Sequence, residues 1–232
     1  MKHAIVTQEQ WLVARKALLE KEKAFTRLRE ELAQARRDLP WERVDRKYVF
    51  DGPKGERTLE QLFEGRSQLV VYHFMFKPEA QAGCTGCSFW ADSFDHIGPH
   101  LAARDVTFLA VSRAPLERLL SFRERMGWSF DWVSSGRNSF NFDYRVSFGP
   151  DGDPATYNYG VTKGGPDMPG VSVFFKDEKG DLFHTYSCFS RGIDMLNTAY
   201  HYLDLVPKGR DEAALSHSMD WLKHRDQYGK VA

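Results

Sequence analysis

From Gln8 to Leu39 the apolar residues Leu12, Leu18, Leu19, Phe25, Leu28 and Leu32 recur at helical intervals among many Lys, Arg and Glu. Thr7 is an expected N-cap and Pro40 an expected stop. The pattern predicts a long amphipathic helix that covers one face of a domain or pairs with a second subunit. After Pro40 the texture changes: KYVFDGPKG reads as a strand and turn, TLEQLF as a helical turn, and QLVVYHFMF as a continuous apolar strand. A strand buried on both faces belongs at the centre of an α/β sheet.

Further on, a helix is expected from Cys84 to Arg104 with a bend at Gly98-Pro99, followed by the strand VTFLAVS. APLERLLSFRERMGW then predicts a helix with Leu116, Leu119, Leu120 and Met126 on its apolar side, and FDWVSS a strand. Gly136 to Pro169 reads as irregular, with a helical turn at Phe142 to Val146, and the length of its part from Asp143 to Asp167 suggests a lid or a subunit contact. VSVFFKDEKGDLFHTYS reads as a β-hairpin turning at Asp177 to Gly180, and the chain from Gly192 as helical with a loop at Pro207 to Arg210. The alternation predicts an α/β sheet with crossover helices. The expected divisions are an N-terminal helix over 1–40, a domain over 41–206 and a partly helical tail over 207–232.

At 232 residues and 42% hydrophobic, the chain can bury one good core and has little room for a second full domain. Lys plus Arg and Asp plus Glu each number 32, so no bulk attraction to nucleic acid or to an anionic membrane is expected. The start, MKHAIVTQEQW, has no apolar leader core, and no long uncharged apolar run follows it. A cytoplasmic protein is the expectation. Three cysteines are too few for a disulfide framework, so the spacing Cys84-x-x-Cys87 reads as catalytic or metal-binding.

The redox reading has a physical basis. The positive end of a helix dipole stabilises an adjacent thiolate, and two intervening residues in a first helical turn bring the second sulfur within disulfide range. Cys84 is then the exposed attacking thiol and Cys87 the shielded resolving one. Thr85 and Gly86 are small and leave Cys84 open to a partner. Zinc is the competing chemistry: Cys84, Cys87, His96 and His100 carry suitable atoms, but Pro99 disturbs the helix and the gap from Cys87 to His96 is short, so no metal site is expected. Cys188 reads as a buried small hydrophobe. Trp90, with Phe89, Trp128, Phe130 and Trp132, belongs either to the core or to a substrate groove. Asp92, Arg113, Asn141 and His184 are candidates for polar groups around the thiols.

The strings YHFMF, GCTGCSFWAD, HLAARDVTFLAVSRAPL, FRERMGWSFDWVSS and PGVSVFFKDEKGDLFHTYS resemble the DUF899 family of bacterial thioredoxin-like proteins, as do EQWLVARKALLEKEKAFTRLREELA and WERVDRKYVFDGP. The resemblance implies a thioredoxin-like α/β fold, to which the residue pattern adds a long N-terminal helical extension and a C-terminal helical extension, and it implies a dithiol-disulfide oxidoreductase activity. It also implies a role for Pro169, since the thioredoxin fold places a cis-proline before the late strand, facing the dithiol and leaving a backbone edge free for substrate. Met168, Thr85, Gly86 and Trp90 are the implied substrate-binding set. His73 stands where thioredoxins keep a buried carboxylate, and the expectation is that it takes the proton of Cys87, against the alternative of a core histidine.

The expected partners are a protein or small-molecule disulfide and an external thiol reductant, with a homodimer left open. No cofactor is expected, because the chain has neither GxGxxG nor a phosphate loop. A more distant similarity is to peroxiredoxins, but Gln81 stands where their pattern has threonine, and VSVFF supplies no arginine. The alternatives are thus a peroxide reductase and a thioredoxin-fold binding protein without turnover.

Overall fold

A computed structural model describes residues 3–149, 155–162 and 165–229. Parts of the expected irregular segment (150–154, 163–164) and the last three residues of the expected tail lie outside them. The chain divides into two units, Met1–Pro40 and Trp41–Ala232; the C-terminal segment from 207 thus belongs to the second unit.

The first unit is helix α1, Gln8–Arg37. Thr7 caps it reciprocally: the Gln10 N–H donates to Thr7 Oγ1 at 3.3 Å, and the Thr7 N–H donates to Gln10 Oε1 at 3.1 Å. No residue of α1 is buried.

The second unit is built on an eight-stranded mixed sheet. Its strands are β1 (Glu42–Arg43), β2 (Val49–Gly52), β3 (Gly55–Thr58), β4 (Gln68–His73), β5 (Val106–Ser112) and β6 (Asp131–Ser134), with β9 (Gly170–Lys176) and β10 (Leu182–Phe189). A separate small hairpin, β7 (Ala155–Tyr157) with β8 (Gly160–Thr162), occupies part of the segment expected to be irregular. The helices are α2 (Thr85–Phe94), α3 (Gly98–Ala102), α4 (Leu116–Met126), α5 (Phe140–Asp143) and α6 (Thr198–Leu203).

Strand order is β1-β10-β9-β4-β5-β6-β2-β3, with β4 parallel to β5 and antiparallel to β9. The run β10-β9-β4-β5, with α2 following β4 and α6 following the β9-β10 hairpin packed together on one face, is the thioredoxin arrangement. The period-2 alternation of β4 divides the core in two. Tyr72 and Phe74 pack with Cys87, Trp90 and Phe94 on one face. Leu69 and Val71 pack with Leu109, Val111, Val133 and Phe174 on the other.

Helix α2 holds its place through Cys87, Trp90, Ala91 and Phe94, all buried at spacings that form one stripe. Removing the Phe94 ring would cost roughly 3–5 kcal/mol. The predicted long helix from Cys84 to Arg104 is two helices. Asp95 leaves helical geometry and His96 adopts φ 69°, a left-handed value, so the break falls before Gly98-Pro99, and Pro99 opens α3. The helical turn expected at Phe142 to Val146 begins earlier, at Phe140, because Asn138 Oδ1 accepts the Phe140 N–H at 2.9 Å. Beyond α6 the expected helical tail is mostly turns, with one short 3-10 segment at Arg225–Gln227.

Candidate active site

The loop after β4 delivers Cys84 to the N-cap position of α2. Two hydrogen bonds fix it there: the Cys84 N–H donates to the Met75 carbonyl at 3.1 Å, and the Ser88 hydroxyl donates to the Cys84 carbonyl at 2.9 Å. Gly83 permits the approach, since a Cβ there would stand 2.7 Å from the Phe74 ring and 2.8 Å from the Phe122 ring. No side chain caps α2. Its first N–H groups therefore face the Cys84 sulfur.

The two thiols differ sharply. None of the three cysteines is in a disulfide; Cys84 is half-buried, and Cys87 is buried and accepts a hydrogen bond from the Met75 N–H at 3.3 Å. The Cys87 thiol donates to Cys84 and, with the backbone N–H groups of Cys87 and Gly86, holds the Cys84 pKa down to about 6 against the opposing effect of burial. Burial pushes the Cys87 thiol well above its usual range, and the neighbouring Cys84 adds to that. One sulfur is poised as a thiolate and the other is held as a thiol.

His73 is not beside them, which corrects the role expected for it. Strand alternation turns it to the opposite face of the sheet, where it stacks near Phe140 and Tyr144. Its Nε2 lies 2.8 Å from Ser172 Oγ, which is 2.8 Å from Ser187 Oγ, itself 2.7 Å from His184 Nε2; His184 Nδ1 lies 3.2 Å from Glu42. A β-bulge between His184 and Tyr186 brings His184 and Ser187 to one face. Burial first, and then His184, hold the His73 pKa down to about 3, so the ring is neutral. The side chain of β4 on the cysteine face is Tyr72, whose buried hydroxyl has no hydrogen-bond partner of ordinary geometry among the described residues. Burial raises its pKa well above the phenol range, and Cys87 is the next contributor.

Pro169 does line the pocket in front of Cys84, but its peptide bond is trans, as are all described peptide bonds. The Met168 N–H donates to the Val146 carbonyl at 2.8 Å, and the Tyr157 hydroxyl donates to the Pro169 carbonyl at 2.6 Å. Tyr157 belongs to the β7-β8 hairpin, so the backbone edge expected to be free for substrate is engaged. Met168 packs with Val146, Tyr157 and Phe189 and does not line the pocket, which corrects its expected substrate contact.

Thr85, Gly86 and Trp90 line the pocket, a space of about 340 Å3. Trp90 is also core: its indole N–H donates to the Ile193 carbonyl at 2.9 Å. Cys188 is buried in the same core. Asp92, Arg113, Asn141 and His184 do not reach the pocket: Asp92 accepts from Trp128, Arg113 pairs with Asp167, and Asn141 accepts from Ser135. His96 engages Asp95 and Ser129, and no group of three metal-ligating side chains occurs among the described residues. No helix among them is long and apolar enough to cross a membrane.

Among the unanticipated pocket residues are Tyr200, Arg210, Glu212 and Met219. They come from α6 and the tail, which the polar, irregular sequence gave no reason to bring over Cys84. Met219 stands so close that a Cβ on Gly86 would lie 2.8 Å from its terminal methyl carbon. The tail is tied down by His224, whose Nε2–H donates to the Gly83 carbonyl at 2.8 Å, by Arg225 on the Met126 carbonyl, and by the Arg125–Asp226 ion pair at 2.7 Å.

A dithiol at a helix N-terminus on this sheet defines a thioredoxin-fold protein. The chain belongs to the DUF899 family, described as bacterial protein of unknown function, whose family model matches residues 1–228. None of the curated proteins matches it. Among solved structures it is similar to peroxidoxin BcpB of Mycobacterium tuberculosis, with 15% identity over 68% of this chain and 93% of that one, at a TM-score of 0.47. Xanthomonas campestris peroxiredoxin Q gives 15% identity over 72% of this chain and 98% of that one, at 0.49. A candidate thiol:disulfide interchange protein DsbE of Chlorobium tepidum gives 14% over 71% and 95%, at 0.42.

Proposed function

We propose that this protein is a cytoplasmic dithiol-disulfide oxidoreductase in which Cys84 attacks and Cys87 resolves. The observation that carries the reading is the asymmetry of the pair: a half-buried thiol held near pKa 6 at a helix N-cap, against a buried thiol held high. The Cys84 thiolate attacks one sulfur of a disulfide, releases the other as a thiolate and forms a mixed disulfide. Cys87 then loses its proton and attacks the Cys84 sulfur, which releases the second thiol and leaves the Cys84–Cys87 disulfide. An external thiol reductant restores the dithiol.

Peroxide reduction has less support. The Cys84 sulfur is held by Cys87 and backbone N–H groups, and the two pocket guanidiniums are already paired, Arg191 with Asp194 and Arg210 with Asp204. A peroxide transition state needs donors free to meet its oxygens. The test is reduction of bis(2-hydroxyethyl) disulfide by the reduced protein, with trapping in a Cys87→Ala variant. The expected result is a stable mixed disulfide on Cys84 in that variant and none in Cys84→Ala. Absence of exchange in the native protein, or faster consumption of hydrogen peroxide than of disulfide, would overturn the reading.

A further inference from the structure

The surroundings of Cys84 define the size and charge of what reaches it. An extended polypeptide docking beside a strand needs free backbone donors and acceptors. Here the Met168 N–H and the Pro169 carbonyl at the pocket edge are both engaged by the chain itself, with Val146 and Tyr157. On the other side Met219 closes over Gly86, and the tail beneath it is anchored at His224, Arg225 and Asp226. What remains open is the pocket of about 340 Å3, which suits a small molecule.

Two cations, Arg191 and Arg210, and two anions, Asp194 and Glu212, line it, and their pairings are unequal. Arg191 pairs with Asp194 at 2.6 Å, and Arg210 pairs with Asp194 at 3.3 Å and Asp204 at 2.8 Å while its guanidinium lies 3.9 Å from the Tyr200 ring centre. Both guanidiniums are thus committed to Asp194 and to Asp204, the latter outside the pocket lining. Glu212 is left over. Its Oε1 accepts from the Tyr200 hydroxyl at 2.8 Å and from the Trp221 indole N–H at 2.7 Å, both neutral donors, and no cation among the described residues pairs with it. The carboxylate is therefore fixed in direction, partly buried and in the same pocket as Cys84, with neutral hydrogen-bond donors and no ion-pair partner among the described residues. The pocket wall between them is largely apolar, with Trp90, Ile193 and Met219.

We infer that the substrate of Cys84 is a low-molecular-weight disulfide carrying a primary ammonium group, with Glu212 as the anchor for that cation. This rests on the oxidoreductase reading above. In the reaction the substrate S–S bond accepts two electrons and breaks to two thiols, while the Cys84 and Cys87 thiols lose theirs and form one S–S bond. The two protons released by the dithiol balance the two taken up by the product thiols.

The test is a single-turnover measurement with the full chain, pre-reduced and freed of reductant, quenched with acid and read by mass spectrometry for the Cys84–Cys87 disulfide. The probes are cystamine, neutral bis(2-hydroxyethyl) disulfide, anionic dithiodiglycolate and insulin. Each small-probe rate is divided by the rate of free 2-mercaptoethanol with the same probe, which removes intrinsic reactivity. The expected result is a normalised preference of about tenfold for cystamine over the neutral probe, a lower rate for the anion, and insulin slowest in raw rate.

Glu212→Gln keeps an acceptor for Tyr200 and Trp221 and loses the charge. It should bring the normalised rates of cystamine and the neutral probe to within about twofold of each other, through a fall in the cystamine rate. Equal normalised rates in the native protein, a preference that survives Glu212→Gln, or a faster reaction with insulin would overturn the inference while leaving the exchange chemistry intact. Failure of every probe would instead remove the oxidoreductase reading.

Discussion

Tyr72 and His73 are neighbours in β4 and face opposite sides of the sheet, Tyr72 toward Cys87 and His73 into a buried hydroxyl chain that ends at His184 and Glu42. The residue placed to assist the resolving thiol is therefore the tyrosine. As Cys87 ionises in its buried setting, the Tyr72 hydroxyl is an available donor to the new thiolate, alongside the Met75 N–H. Tyr72→Phe should slow resolution of a Cys84 mixed disulfide by about tenfold. His73→Gln should leave that rate within about twofold in protein that remains folded. Rapid-quench trapping of the mixed disulfide distinguishes the two, and the reverse ranking would restore His73 to the mechanism.

The attacking thiol carries its own prediction. With Cys84 held near pKa 6 chiefly by the Cys87 thiol, its alkylation by iodoacetamide should rise with pH through a midpoint near 6 and level off above it. Cys87→Ala removes the leading cause, so the midpoint should move up toward the ordinary thiol range. A native midpoint near 8.5 would mean that the helix N-terminus and Cys87 do not stabilise the thiolate.

His73 should instead appear in stability. Its folded pKa lies near 3 against about 6.5 unfolded, so below pH 6.5 the unfolded chain binds the extra proton and the folded one does not. Stability is thus complete above 6.5 and falls as pH drops toward 3, by up to about 1.4 kcal/mol per pH unit from this group. Urea midpoints measured from pH 7 to 4 should fall less steeply in His73→Gln than in the native protein, after allowing for its lower starting stability. Parallel slopes would contradict the assignment.

Close packing at the two glycines is the fourth test. Gly83→Ala places a methyl against the Phe74 and Phe122 rings, at a cost of about 1–3 kcal/mol. Gly86→Ala meets the flexible end of Met219, so it should cost less and act mainly on access to Cys84. Adding Met219→Ala should recover the rate with small disulfides. Denaturant melts and exchange rates on the three variants check both statements, and equal destabilisation by the two alanines would contradict them.

Local signals reached the parts of this molecule that local physics governs. The buried run QLVVYH, the N-cap position of Cys84 and the hairpin ending in HTYS follow from periodicity and turn residues. His73 shows where that reading fails: the adjacent apolar run looks the same from both faces, and a shift of one residue reverses the face. The residues over the pocket, Glu212 and Met219, lie in a polar stretch with no period, held by single long-range bonds such as His224 to Gly83. Such contacts leave no trace in spacing. The trans bond at Pro169 and the engaged Met168 N–H likewise depend on the β7-β8 hairpin, whose pairing is set by a few residues within a long loop.

The most direct test of the account is the reduction potential of the Cys84–Cys87 pair, measured by thiol labelling across a dithiothreitol redox series on metal-free protein. The account predicts a reversible two-electron transition between dithiol and disulfide that disappears in Cys84→Ser and in Cys87→Ser but not in Cys188→Ser. Thiols that never pair, or a transition that requires Cys188, would contradict it.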